Sequence, residues 1–92
     1  AGFIHGGAIA ALCDTAAGIG TQILLPPGCR AVTSELKINY LGNVNQGAME
    51  AEARLLHYGK KTLVWQVNAY PAGSTELLAV VTTTFFVLPD NK

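Results

Sequence analysis

The feature that most constrains this sequence is a single carboxylate inside a long apolar stretch. Between Gly6 and Cys29 the only charged side chain is that of Asp14, and its neighbours are mostly alanine, glycine, isoleucine, leucine and threonine. Burying an unpaired carboxylate is costly, so a charge at this position indicates a functional or a capping role. A His-Gly-Gly turn at 5–7 opens the stretch.

Apolar residues at helical spacing predict one helix from Gly6 to about Leu25. The sequence Pro26-Pro27-Gly28 follows, and these residue types end a helix. The other side of the helix carries alanine, glycine, threonine and glutamine rather than charged residues. A helix that is apolar or small all round is buried on most sides, so we expect this one to lie at the centre of the domain.

From Arg30 onward the hydrophobic period changes to two, which predicts strands with one solvated face. In the first strand this alternation puts Val32, Ser34 and Leu36 on the same face. Strands are predicted at 32–40, 49–55, 62–70 and 77–88. The last strand is apolar on both faces, which places it in the middle of a sheet. The resulting fold class is α+β, with one helix packed against a sheet of consecutive antiparallel strands.

Composition limits the possible partners. The 92 residues are treated as one domain, 1–92, and a domain this small is expected to gain stability by oligomerising. Six basic and six acidic residues give zero net charge without a basic stripe, which argues against a nucleic-acid partner. Asp14 interrupts the longest apolar run, so no membrane association is expected. Two cysteines, Cys13 and Cys29, do not make a disulfide framework, which favours a cytoplasmic location.

Four motifs together resemble a known family. They are His5-Gly6-Gly7, Leu12-Cys13-Asp14-Thr15-Ala16, the strand sequence at 32–41, and His57-Tyr58-Gly59-Lys60-Lys61. This set resembles the hotdog-fold acyl-CoA thioesterases of the phenylacetate-degradation (PaaI-like) type and the related 4-hydroxybenzoyl-CoA thioesterases. The resemblance implies an antiparallel sheet wrapped around one long central helix. Family members usually carry a further N-terminal segment, which we expect to be missing or shortened here.

A thioester hydrolase needs hydrogen-bond donors for the developing oxyanion and a carboxylate that acts as base or nucleophile. Gly6 and Gly7 lie at the predicted helix N-terminus, where the dipole is positive and a substrate could approach the backbone. The alternative is a glycine turn needed only for tight packing. Asp14 is the candidate carboxylate, and its alternative role is an N-cap within an interrupted helix. The resemblance favours the catalytic role for both Gly6 and Asp14.

Helical geometry separates these two groups. Gly6 and Asp14 are eight residues apart, which is roughly 12 Å along a helix at about 1.5 Å per residue. One thioester carbon cannot lie close to both. If both groups act on one substrate they come from different chains, which predicts a homodimer with two shared sites. The resemblance implies that dimers join through the strand at 32–41, and dimers of dimers are a further option.

The resemblance suggests roles for several other residues. His5 would position the thioester, and Thr33, or less favoured Ser34, would hold the attacking water. Gly18 takes the place at which some relatives carry a catalytic hydroxyl. Other positions are expected to bind substrate: Arg30, Lys60 and Lys61 the phosphates of CoA, Tyr58 the nucleotide, Gly7 and Ser34 the thioester region, and Leu12, Ile38 and Tyr40 the acyl group. For each of them an ordinary structural or solvated role is the alternative.

Three functions are compatible with the sequence at this point. The first is hydrolysis of an acyl- or aryl-CoA thioester without metal or redox cofactor, with CoA present only as part of the substrate. The second is a non-catalytic hotdog module that binds acyl-CoA. The third is a hotdog hydratase, which needs a histidine about one helical turn after the aspartate. No histidine follows Asp14 before His57, so we discount the hydratase.

Overall fold

The computed structural model describes residues 6–42 and 48–89, which form one helix followed by four strands. The elements are α1 (Gly6–Leu24), β1 (Cys29–Tyr40), β2 (Met49–Tyr58), β3 (Thr62–Pro71) and β4 (Ala79–Pro89). The predicted order of elements is confirmed. The first strand begins three residues earlier than predicted and the fourth two residues later. The α+β class is confirmed as well, because α1 packs on one face of the sheet.

The four strands form one antiparallel sheet in the order β1-β4-β3-β2. The prediction that β4 lies inside the sheet is confirmed. The strands do not pair consecutively throughout, because β1 pairs with β4 at the far end of the chain rather than with β2. This order leaves β1 and β2 at the two edges of the described sheet, with the helix across its middle.

The core lies between one face of α1 and the inner face of the two central strands. Its largest fully buried side chains include Leu63, Val67 and Val81. Trp65 donates from Nε1 to Thr21 Oγ1 of the helix at 2.8 Å, in a buried hydrogen bond. A Cβ at Gly20 would lie 2.6 Å from the Trp65 ring, so only glycine lets the helix approach the indole this closely.

The other face of α1 is open in the single chain. Ile19 is 59% exposed and Ile23 is 78% exposed. The prediction that the helix is buried on most sides is therefore wrong for one chain by itself. By length and composition alone, α1 is long and apolar enough to cross a membrane. The core helix of a globular domain meets the same criterion. In this structure α1 packs against all four strands.

A β-bulge interrupts the first strand. Thr33 pairs with Phe85 and Glu35 with Thr84, which leaves Ser34 as the extra residue in β1. One extra residue reverses which side chains face the core from that point onward.

The predicted alternation is therefore wrong on one side of the bulge. Ala31 and Leu36 both pack against the core, although one has an odd and the other an even number. Val32, predicted to share a face with Leu36, is 43% exposed. Sequence periodicity missed the reversal because a bulge is set by pairing with the neighbouring strand.

Candidate active site

Asp14 lies near the middle of α1 and is half-buried. Since α1 runs without a break from Gly6 to Leu24, Asp14 does not begin a helix, and the capping alternative is wrong. Its carboxylate oxygen Oδ1 accepts a hydrogen bond of 3.0 Å from Thr33 Oγ1. The structure thus brings together two of the predicted catalytic residues.

Ser34 is placed differently from Thr33, although the two are adjacent. Its Oγ donates to the backbone oxygen of Thr84 in β4 at 3.2 Å. Its hydroxyl is thus committed to the sheet backbone in this structure, and Thr33 is the residue of the two that contacts Asp14. The predicted role of Ser34 in substrate binding has no support from this geometry.

Gly6 lies in the first turn of α1 beside the end of β1. The Tyr40 hydroxyl donates to Gly6 O at 2.8 Å. A Cβ at position 6 would lie 3.0 Å from Cζ and from the hydroxyl oxygen of Tyr40, so glycine permits this contact. Tyr40 was expected in an acyl pocket, and the structure instead shows it supporting the helix N-terminus. Gly7 follows in the same turn, and His5 lies outside the described residues.

One chain does not bring Gly6 and Asp14 together. Both residues belong to one continuous helix, so their backbones are roughly 12 Å apart at about 1.5 Å rise per residue. The predicted separation is confirmed. What covers the other side of Asp14 in an assembly stays a prediction.

An open groove of about 580 Å³ begins at Asp14 and follows α1 toward its C-terminus. Phe85 lies beneath the groove and is only 5% exposed. A Cβ at Gly18 would lie 3.9 Å from the Phe85 ring. The remaining lining residues are Thr15, Ile19, Thr21, Gln22, Ile23 and Ala31. The residues predicted for an acyl pocket, Leu12, Ile38 and Tyr40, do not line this groove. The carboxylate therefore stands at one end of a mostly apolar channel.

Three basic residues lie at the end of the sheet toward which the groove runs. Arg30 adjoins Ala31 of the groove wall, and Val87, the β4 partner of Ala31, donates its N–H to Lys61 O at 2.7 Å. Lys60 and Lys61 form the hairpin between β2 and β3, and all three cations are exposed. The predicted phosphate-binding residues therefore gather at one end of the sheet.

Tyr58 at the same end has a structural contact that the sequence did not reveal. Leu56 is the extra residue of a second bulge, in β2, and beyond it the Tyr58 hydroxyl donates to Leu24 O at 3.0 Å. Tyr58 thus holds the last turn of α1, whereas we predicted a contact with the nucleotide. That contact stays a prediction.

The two cysteines lie in different surroundings. Burial raises the pKa of the Cys13 thiol, which keeps it protonated and unreactive in the core. Cys29 is half-buried and free. The described residues include no group of three His, Cys, Asp or Glu side chains placed to hold a metal ion.

Comparisons with known proteins by sequence and by structure point to the same family. Residues 1–78 match the family described as "Thioesterase superfamily". A Bacillus halodurans protein solved with CoA is 40% identical, with a TM-score of 0.87 over 94% of this chain and 56% of that one. A thioesterase from Haemophilus influenzae is 26% identical, with a TM-score of 0.92 over 99% of this chain and 63% of that one.

A curated relative gives a similar picture. The 1,4-dihydroxy-2-naphthoyl-CoA hydrolase of Listeria monocytogenes is 33% identical over 67 residues, which are 73% of this chain and 54% of that protein. The chain spans about half the length of the curated relatives that it matches.

Proposed function

The chain belongs to the thioesterase superfamily, and on this premise we propose that it hydrolyses a CoA thioester to a carboxylic acid and free CoA. The observation that carries the proposal is Asp14, a half-buried carboxylate oriented by Thr33 at the end of an apolar groove. We also propose that the substrate is an acyl- or aryl-CoA of the kind cleaved by the PaaI-like and 4-hydroxybenzoyl-CoA thioesterases.

In this proposal the protein acts as a homodimer. The roughly 12 Å between Gly6 and Asp14 means that the oxyanion donor beside Asp14 has to come from a second copy. A two-fold axis that pairs antiparallel helices brings Gly6 of one copy to Asp14 of the other, twice per dimer. One feature supports such an assembly: β1, the strand through which the resemblance implies that dimers join, lies at an edge of the described sheet.

The chemistry then follows from two fixed groups. Asp14 takes a proton from water as the water oxygen bonds to the thioester carbon, and the carbonyl electrons move onto oxygen. The backbone N–H of Gly6 from the second copy stabilises that oxyanion. When the tetrahedral intermediate collapses, the C–S bond breaks and the proton on Asp14 passes to the leaving sulfur. Direct attack by Asp14, followed by hydrolysis of the anhydride, uses the same two groups.

The groove gives CoA a route across the domain. It runs from Asp14 to Ile23, nine residues or roughly 13 Å at about 1.5 Å per residue, and its wall includes Ala31, the neighbour of Arg30 in the chain. We propose that the extended arm of CoA lies along this groove and that Arg30, Lys60 and Lys61 bind its phosphates.

The test is release of CoA thiol from a panel of aryl- and acyl-CoA esters. Asp14→Asn keeps the shape of the side chain and removes its basicity, so we expect kcat to fall roughly 100- to 10,000-fold. Glu52→Gln, at an exposed position on β2, is the matched control and should keep wild-type activity. If Asp14→Asn turns over like the wild type, the proposed mechanism is wrong.

The competing function is an acyl-CoA-binding module without catalysis. Calorimetric titration with the same esters separates the two. Tight binding by the wild type without any thiol release would favour the binding module, whereas release that depends on Asp14 would exclude it.

A further inference from the structure

The bulge at Ser34 stands directly beside the contact between Thr33 and Asp14. We infer that this bulge is a positioning device, which delivers the Thr33 hydroxyl to Asp14 Oδ1 and leaves Oδ2 for the reaction. The inference rests on the proposed function for its catalytic consequence, although its structural part can be tested separately. Neither Thr33 nor Ser34 acts on the substrate in this scheme.

The side chains of β1 that face the helix have odd numbers before the bulge and even numbers after it. Before it, Ala31 lines the groove and Thr33 contacts Asp14. After it, Leu36 and Ile38 pack against the core. Side chains alternate along a strand, so these two sets can face the same side only if one extra residue stands between them.

Without a bulge, β1 could not keep both the Thr33–Asp14 contact and the packing of Leu36 and Ile38 against the core. If Thr33 faced the helix without a bulge, Glu35 and Lys37 would follow it toward the core, where burial of charge is costly. If Leu36 faced the core instead, Thr33 would turn away from Asp14. Hydrophobic burial favours the second arrangement, so a regular β1 would fold at the expense of the Thr33–Asp14 contact.

Ser34 holds the bulge in place. Its hydroxyl donates to Thr84 O, the backbone oxygen of the residue that pairs with Glu35. A bulge disrupts the ladder locally, and this side-chain bond adds a link between the two strands at that point. Ser34 is therefore both the extra residue that reverses the alternation of side chains and the residue whose hydroxyl bonds the bulge to β4.

The consequence for Asp14 is orientation. A carboxylate on a helix can rotate about its side-chain bonds, and either oxygen could then face the substrate. A hydrogen bond from a strand hydroxyl fixes the side chain in one rotamer and occupies Oδ1. Positioning of this kind affects the rate of the chemical step rather than substrate binding.

The experiment compares four single variants and one combined variant by steady-state kinetics. Thr33→Val keeps the shape and removes the hydroxyl, so we expect kcat to fall about 10- to 100-fold with little change in KM. Thr33→Ser keeps the hydroxyl and should restore most of kcat. Deletion of Ser34 should lower kcat as much as Thr33→Val, with no further loss when the two are combined. Thr82→Val, the same chemical change at a half-buried position of β4, is the control and should match the wild type.

A second measurement does not depend on turnover. The carbon-13 chemical shift of the Asp14 carboxyl reports its hydrogen bonding, so it should move in Thr33→Val and in the Ser34 deletion, and stay in Thr82→Val. If the deletion variant fails to fold by circular dichroism, Ser34→Ala takes its place, and a smaller movement in the same direction is expected.

The two proposals fail in different ways. An unchanged carboxyl signal in Thr33→Val, or in the folded Ser34 variant, would overturn this inference whatever the activity. A shifted signal in a protein that releases no CoA from any ester would support the positioning device and contradict the proposed function.

Discussion

The two ends of α1 are held by the same chemical contact, yet the contacts serve different purposes. Tyr40 donates to Gly6 O at one end and Tyr58 to Leu24 O at the other, at 2.8 and 3.0 Å. Each tyrosine comes after a bulge in an edge strand, and the two are 50% and 47% exposed.

The difference lies in the carbonyl that accepts each bond. Leu24 O belongs to the last turn, whose carbonyls have no donor within the helix, so Tyr58 satisfies a group that would otherwise need water. Gly6 O lies in the first turn and also has an acceptor role inside the helix, so Tyr40 adds a second bond. We conclude that the C-terminal contact stabilises the fold, whereas the N-terminal contact fixes the turn that presents the proposed oxyanion donor.

The strongest test of this comparison is at Gly6. In Gly6→Ala the new Cβ would approach the Tyr40 ring to 3.0 Å, so the Tyr40 side chain or the turn it contacts has to move by a few tenths of an ångström. Displacing an oxyanion donor should lower kcat about 100-fold. Gly42→Ala is a suitable control, because its Cβ would meet Leu78 at an ordinary 3.7 Å. Wild-type kcat in Gly6→Ala would show that the turn has no catalytic role.

The next test is at the C-terminal half of the helix. In Gly20→Ala the added Cβ would lie 2.6 Å from the Trp65 ring, which is held in place by Thr21. Overpacking of this kind should lower the free energy of unfolding by about 2 kcal/mol, measured by urea denaturation. The same substitution at Gly18, 3.9 Å from Phe85, should cost much less stability. Equal losses at the two glycines would contradict the tight seating of the indole.

The smallest effects are expected from the tyrosines themselves. Tyr58→Phe should lower the free energy of unfolding by about 1 kcal/mol, because Leu24 O loses its donor. Tyr40→Phe should cost less stability and lower kcat about tenfold, because the first turn becomes less well fixed. Thermal unfolding and turnover of an N-acetylcysteamine thioester, which lacks the nucleotide, measure the two quantities separately. If both variants lose stability and activity in the same proportion, the two ends of α1 are equivalent.

Local sequence patterns were sufficient for the elements but not for their register. Helical spacing and the Pro-Pro-Gly sequence located α1 to within one residue of its end. Alternation located the first three strands, and a run that is apolar on both faces located the fourth. The bulges at Ser34 and Leu56 and the pairing of β1 with β4 depend on contacts between distant segments, which no local pattern records.

The same limit applies to the site. Asp14 was conspicuous as the only charge in its stretch, and helical rise alone showed that Gly6 lies too far away to act with it in one chain. Thr33 was only weakly preferred to Ser34, because the choice depends on which of them the bulge turns inward. The roles of Tyr40 and Tyr58 were missed because an aromatic residue at a strand end is equally compatible with packing, ligand contact or a bond to a helix.

The strand order has a consequence for how the domain is made. β2, β3 and β4 are neighbours in the chain and form a meander that closes short loops. β1 pairs with β4, which is separated from it by two strands and is the last of the four strands to leave the ribosome. Thr33 belongs to β1, so its contact with Asp14 is expected to form only after β1 has paired with β4. A newly made chain would therefore have most of its sheet before it has an oriented carboxylate.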